Sequence, residues 1–162
     1  MTYPPLIKID AIYFNANTVE EFKQSETLIL KSLKNFPNQT DLIWRLARNH
    51  FRIGKRTADK EQKLVIFENC LNTAKRGMQI DNNSAESIYF MGLCLGNLSL
   101  QRGIFSSLSN RDTLKTAMQQ VIKIDPTVEH AGPHRFLGVY YHVLPFFLGG
   151  DSEKSIRHLE SA

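Results

Sequence analysis

A chain that repeats itself every 44 residues has few folds open to it. Leu30, Ala74, Met118 and Ala162 stand at that interval in similar amphipathic contexts. The phrases LILKSLKNFP, LNTAKRGMQID and LKTAMQQVIKID each run from an apolar stripe into a turn carrying Pro, Asp or Asn. A period of about 20–50 residues marks a solenoid, in which each unit buries its apolar face on the next. No segment alternates with period two over a strand's length. The expected fold is all-α, a right-handed superhelical stack of antiparallel helix pairs. Such stacks present binding grooves, so a scaffold is favoured over an enzyme.

The pattern divides the chain into an extended lead-in over 1–17, carrying Pro4-Pro5, and one helical-repeat domain over 18–162. Thr18 followed by Glu21 is a capping box that opens a helix running to Phe36, before Pro37. Further helices are expected over 40–52, 61–80, 85–101 and 111–124. Gly54 with KRTADK, and the Ser-rich stretch RGIFSSLSNRD, are read as the loops between them. Gly132-Pro133 opens the sixth helix, since proline suits a first helical turn. Asp151 caps the seventh. The last phrase, SEKSIRHLESA, stops without a Gly, Asn or Pro terminator. The expectation is therefore a stack cut at its C-terminal end, with an unprotected apolar edge and self-association as a homo-oligomer.

The 162 residues are 42% hydrophobic and 22% charged, an ordinary globular composition. The net charge of +4 is spread without a basic run, and no basic stripe is interleaved with aromatics, so nucleic acid is not expected as a partner. No apolar run reaches the roughly 20 residues of a transmembrane segment. The N-terminus lacks a secretory apolar region. The protein is then cytoplasmic, or a periplasmic lipoprotein if an upstream signal has been removed. Cys70 and Cys94 lie on apolar stripes. Buried free thiols are the first expectation, and a disulfide between neighbouring helices stays open. His130 and His134 are four apart, but Gly132-Pro133 between them places His130 ahead of the helix, so no metal is expected there. No phosphate-binding glycine motif and no nucleophile–base set stands in the chain, so no cofactor is expected.

The first helix of each pair aligns as DLIWRLARNHF, AESIYFMGLCL and GPHRFLGVYYH. A small residue recurs at Ala47, Gly92 and Gly138, preceded by bulky Leu46, Met91 and Leu137. The small residue lets the second helix approach, and the bulky one fills the space between helices. This is the logic of a tetratricopeptide (TPR-like) repeat, lengthened by ten residues over its usual period of about 34. In register, Trp44, Arg48, Tyr89, Leu93, Arg135, Val139 and His142 should line the inner face, with His134 a further donor for an anionic ligand. Tryptophan and arginine are frequent binding hot spots, but aromatics on an apolar stripe also serve as core.

LIWRLAR, QRGIFSSLS, AGPHRFLGVYYHVLPFFLGGD and SEKSIRHLESA together resemble the T-component of TRAP transporters and the related regulator-of-microtubule-dynamics proteins. The resemblance runs from about Thr40 to the end. It implies a non-catalytic helical-repeat scaffold that binds a protein partner, in the transporter case a solute-receptor protein. The alternatives are an anionic small-solute binding protein and a cytoplasmic or cytoskeletal adaptor.

Overall fold

The computed structural model describes residues 5–162, and these form eight α-helices and one 3-10 turn. The helices are α1 (Leu6–Asn15), α2 (Val19–Asn35), α3 (Thr40–Arg56), α4 (Lys60–Ile80), α5 (Ala85–Arg102), α6 (Ile104–Ile124), α7 (Val128–Val143) and α8 (Ser152–Glu160). The 3-10 turn, Phe146–Leu148, joins α7 to α8. Consecutive helices pack as antiparallel pairs. Helices α1, α3, α5 and α7 each touch the next of that set, whereas α2, α4, α6 and α8 make no contact with one another among the described residues. The odd-numbered helices therefore form the inner layer and the even-numbered ones the outer layer.

Local chemistry sets most boundaries. The Thr18 hydroxyl accepts from the Glu21 amide while the Glu21 carboxylate accepts from the Thr18 amide, closing the capping box. Asp59, Ser84 and Asp151 cap α4, α5 and α8 by accepting from the amide three residues on. The recurring small residues do bring each helix pair together. A Cβ on Gly92 would stand 2.5 Å from the Met118 methyl of α6, and one on Gly138 would stand 2.6 Å from Leu159 of α8. The Ala47 carbonyl oxygen lies 3.2 Å from Cys70 Sγ of α4, a close approach that a larger residue at 47 would crowd. Leu46, Met91 and Leu137 are buried beside them.

Four expectations are corrected. The lead-in is not extended: Leu6–Asn15 is helical, because its Ile9 and Tyr13 are buried against the stack. Residues 1–4, with Pro4 of the Pro pair, lie outside the described residues. Helix α3 continues through Gly54 to Arg56, with Gly54 pressed against the Phe67 ring. The Ser-rich stretch is helix rather than loop. Gly103, at φ +108°, makes the whole turn between α5 and α6, and Asn110 Nδ2 ties the two helices by donating to Ser99 Oγ at 3.0 Å. The 44-residue register is exact in burial only for Ala74 and Met118, both fully buried. Leu30 is 47% exposed while its neighbour Ile29 is fully buried, and Ala162 is exposed beyond the end of α8.

Among the described residues, the buried apolar ones form three clusters, the smallest being Tyr13, Ala16, Phe22 and Ile53. Phe67, Ile88, Phe90, Leu98, Met118 and Leu137 anchor the largest, which spans α3 to α7, and Ile9, Ile29, Leu42 and Ile43 anchor another joining α1, α2 and α3. Cys70 and Cys94 are both buried, as expected, but they are joined as a disulfide between α4 and α5 rather than left free, with Cα atoms 5.8 Å apart.

One local feature breaks the helical rule. Glu129, His130 and Ala131 all have positive φ (48°, 57° and 58°), a left-handed turn without a glycine at the head of α7. Each such residue costs roughly 1–2 kcal/mol. Pro133, with no amide hydrogen, cannot bond back to the Glu129 carbonyl in a regular helix. Arg135 takes that carbonyl instead, donating from Nη2 at 2.7 Å and from Nη1 to the His130 carbonyl. Ala131→Gly is expected to raise stability by about 1 kcal/mol, because glycine adopts this conformation without a Cβ clash. A urea midpoint that does not rise, at unchanged m, would contradict the strained turn.

Candidate functional site

Helices α5 and α7 meet where Gly132 packs on the Tyr89 ring; a Cβ at Gly132 would stand 2.3 Å from the phenol oxygen. Beyond that point the two helices bound an open groove of about 450 Å³, with α6 contributing Ser107 and Leu114. Its apolar lining is Leu93 and Leu100 from α5, and Phe136, Val139, Tyr140 and Val143 from α7. Arg135 stands at the end nearest Gly132, and Asn97 adds an amide. Leu100, Val139 and Val143 are 67%, 56% and 65% exposed, so the rim is apolar and solvated. Exposed Ile104 and Phe105 follow just after α5 ends.

Four of the eight residues read from the sequence line this groove: Tyr89, Leu93, Arg135 and Val139. The other four lie elsewhere. Trp44 is buried in the core, its ring stacked parallel to Phe90 with centroids 6.5 Å apart. His142 is exposed on α7 outside the groove. His134 faces α8, with its Nδ1 3.1 Å from Nδ1 of His158. Arg48 is buried and belongs to a polar cluster on the inner layer. The sequence reading missed Leu100, Phe136 and Val143. The spacings Leu93–Leu100 and Phe136–Val139–Val143 do follow one face of a helix, but only tertiary convergence shows that those faces oppose each other.

The polar cluster joins α1, α3 and the left-handed turn. Arg48 Nη2 donates to Asp10 Oδ1 of α1, while Nη1 stands 3.7 Å from the Glu129 carboxylate. Arg45 grips the same Asp10 through Nε and Nη2, at 2.9 and 2.7 Å. The Arg48 guanidinium lies 3.7 Å from the centre of the Tyr13 ring and 5.0 Å from that of Trp44. Arg52 Nε donates to the Tyr13 hydroxyl at 2.8 Å. Burial pushes the Asp10 carboxyl up, but hydrogen bonds from Arg45 and Arg48 outweigh it and hold it below the ordinary carboxylate value. Burial and the Glu129 charge push the Tyr89 phenol up to about 12.

The histidine pair gives a testable pH response. Burial, then the neighbouring His134, lower the His158 pKa below 6.5. The unfolded chain therefore takes up the proton first as pH falls, and stability present above pH 6.5 is lost below it. The Tm should drop as pH falls below 6.5 in the wild type, and the drop should shrink in His158→Gln. An unchanged slope in the variant would remove His158 from the account.

No group of three or more His, Cys, Asp or Glu side chains among the described residues could hold a metal ion, and no described helix is long and apolar enough to cross a membrane.

Comparison with known proteins bears on these features. The family model described as Regulator of microtubule dynamics protein 1-3 matches residues 6–142. The chain is 27% identical over 123 residues to Regulator of microtubule dynamics protein 1 of Pongo abelii, covering 74% of this chain and 38% of that protein. Against the Bos taurus protein of the same name the identity is 24% over 125 residues, covering 75% and 39% respectively. The chain thus spans about two fifths of the length of the curated relatives it matches. Among solved structures, MamA RS-1 ArsTM double mutant superposes with a TM-score of 0.58 at 16% identity, covering 99% of this chain and 74% of the other. That likeness supports the all-α helical-pair fold.

Proposed function

The chain belongs to the regulator of microtubule dynamics family, and from that membership we propose that it is a non-catalytic scaffold binding a protein partner. The partner's apolar segment would lie in the groove between α5 and α7. The observation that carries this reading is the solvated apolar rim of Leu100, Val139 and Val143 above Leu93 and Phe136. A contiguous apolar rim over a concave surface is the kind of site a partner's apolar segment covers, and helical-repeat stacks bind through their concave surfaces. Val139→Arg and Leu100→Arg change exposed side chains, so they should leave the fold intact and weaken peptide binding by about tenfold or more. An amphipathic peptide panel read by fluorescence polarisation tests this. Undiminished binding of every positive peptide would reject the groove.

The relatives' name favours a partner at the microtubule, and a net charge of +4 suits an acidic polymer surface. Cosedimentation with polymerised tubulin, weakened by raised salt, supports that partner. A chain that stays in the supernatant at low salt rejects it. The reading as a T-component beside a solute receptor rests on the sequence phrases alone, and an anionic small solute would have to be held by Arg135, since Arg48 is enclosed while the Glu129 turn is in place.

A further inference from the structure

We propose that the left-handed turn Glu129–Ala131 is a built-in competitor: its carboxylate occupies the inner-layer arginine cluster until an acidic segment of the partner displaces it. The proposal rests on the groove reading above and names the partner's chemistry, an apolar segment flanked by carboxylates.

Three observations converge on the turn. First, the cluster has more cations than anions. Arg45, Arg48 and Arg52 face Asp10, Asp41 and Glu129, and Arg135, at the shared wall of cluster and groove, adds a fourth cation to these three carboxylates. Second, the Glu129 contact is incomplete. Its carboxylate stays 3.7 Å from Arg48 Nη1, too far for a hydrogen bond, and Arg48 Nε has no partner although the residue is only 2% exposed. A buried guanidinium with an unused donor suits a further acceptor oxygen. Third, the turn is held against its own backbone preference, with the Arg135 bonds to its carbonyls and the attraction to Arg48 among the contacts that hold it. Strained segments persist where surroundings impose them, and they relax when those surroundings change.

The geometry couples the two places. Gly132, next in the chain, seats on Tyr89, and Tyr89, Gly132 and Arg135 all line the groove. A peptide whose apolar residues enter beside Val139 would place an adjoining carboxylate at Arg135. That carboxylate competes for the guanidinium that holds the Glu129 and His130 carbonyls. Once Arg135 lets go, the turn relaxes and Glu129 leaves Arg48 to the incoming anion. Binding and release of the turn are then one equilibrium, and each biases the other.

Two conservative variants should move it in opposite directions. Glu129→Gln removes the competing charge and should tighten binding of a fluorescein-labelled peptide of Glu-Glu-Leu triplets by about tenfold. The Gln-Gln-Leu counterpart should be unaffected. Ala131→Gly makes the closed turn comfortable and should weaken the acidic peptide while raising stability. In the wild type, hydrogen exchange over 128–132 should speed up on adding the acidic peptide. Equal affinity of all three proteins for the acidic peptide, with Val139→Arg still disrupting both peptides, would overturn the competitor and leave the groove. Binding of neither peptide to any of them would overturn groove and competitor together.

Discussion

Asp10→Ala should destabilise the protein by about 3 kcal/mol, although Asp10 sits on the short first helix and is itself partly exposed. The reason lies in what it leaves behind. The Arg48 side chain is 3% exposed, and Asp10 is its one hydrogen-bonded carboxylate. Removing one partner of a buried ion pair typically costs about 3–5 kcal/mol, because the remaining charge cannot reach water. Glu129, 3.7 Å away, offsets part of that loss, so the lower end is expected. The same contact predicts an acid response. The Asp10 pKa is held below 3.8, so its stabilisation is present above that pH and is lost as pH falls through the folded value. Urea unfolding of Asp10→Ala and the double variant Asp10→Ala/Arg48→Met measures it. The double variant should recover much of the loss, since a methionine there carries no buried charge. A single variant within about 0.5 kcal/mol of wild type, the spread usual for surface changes, would mean that Arg48 finds water when Asp10 is gone.

Phe90→Ala is expected to cost about 3–5 kcal/mol, the range for a large buried aromatic. Phe90 is 2% exposed and lies where α3, α4 and α5 meet. It stacks on Trp44, and its centroid is 6.3 Å from that of Phe51 and 5.3 Å from that of Tyr89. In a stack of helix pairs, stability resides largely in interfaces between neighbours, so a cavity at this junction weakens the coupling of two pairs. Trp44, the only tryptophan, should report the change by a red-shifted emission as water reaches the void. Unfolding in two separate steps would show the pairs uncoupled. A loss below about 1 kcal/mol would mean that the site collapses around the missing ring.

Much of the fold could be read in advance because its determinants are local. The Thr18–Glu21 box, the Asp151 cap and the small residues at Ala47, Gly92 and Gly138 act within a helix or between the two helices of a pair. The misreadings have the opposite character. Pro4-Pro5 suggested an extended start, but Ile9 and Tyr13 gain burial only because α2 and α3 are there to cover them. The serines of RGIFSSLSNRD read as a loop, yet in α6 Ser107 Oγ donates to the Gly103 carbonyl and Ser109 Oγ to the Ser106 carbonyl, bonds a helix tolerates. Trp44 and Arg48 were in the right register for the inner layer. Register alone cannot say that α1 and the Glu129 turn close over them.

The sequence by itself determined the all-α class, the pairing of helices and the packing positions, since caps, periodicity and small residues act over one or two turns of helix. Only the tertiary structure decided where the groove lies, because Leu100 and Val143 belong to helices whose convergence depends on the whole stack. It alone joined Asp10 to Arg48 and Arg48 to Glu129 across the inner layer. Buried charge must find its partner wherever the fold brings one, and that distance in space leaves no period in the chain.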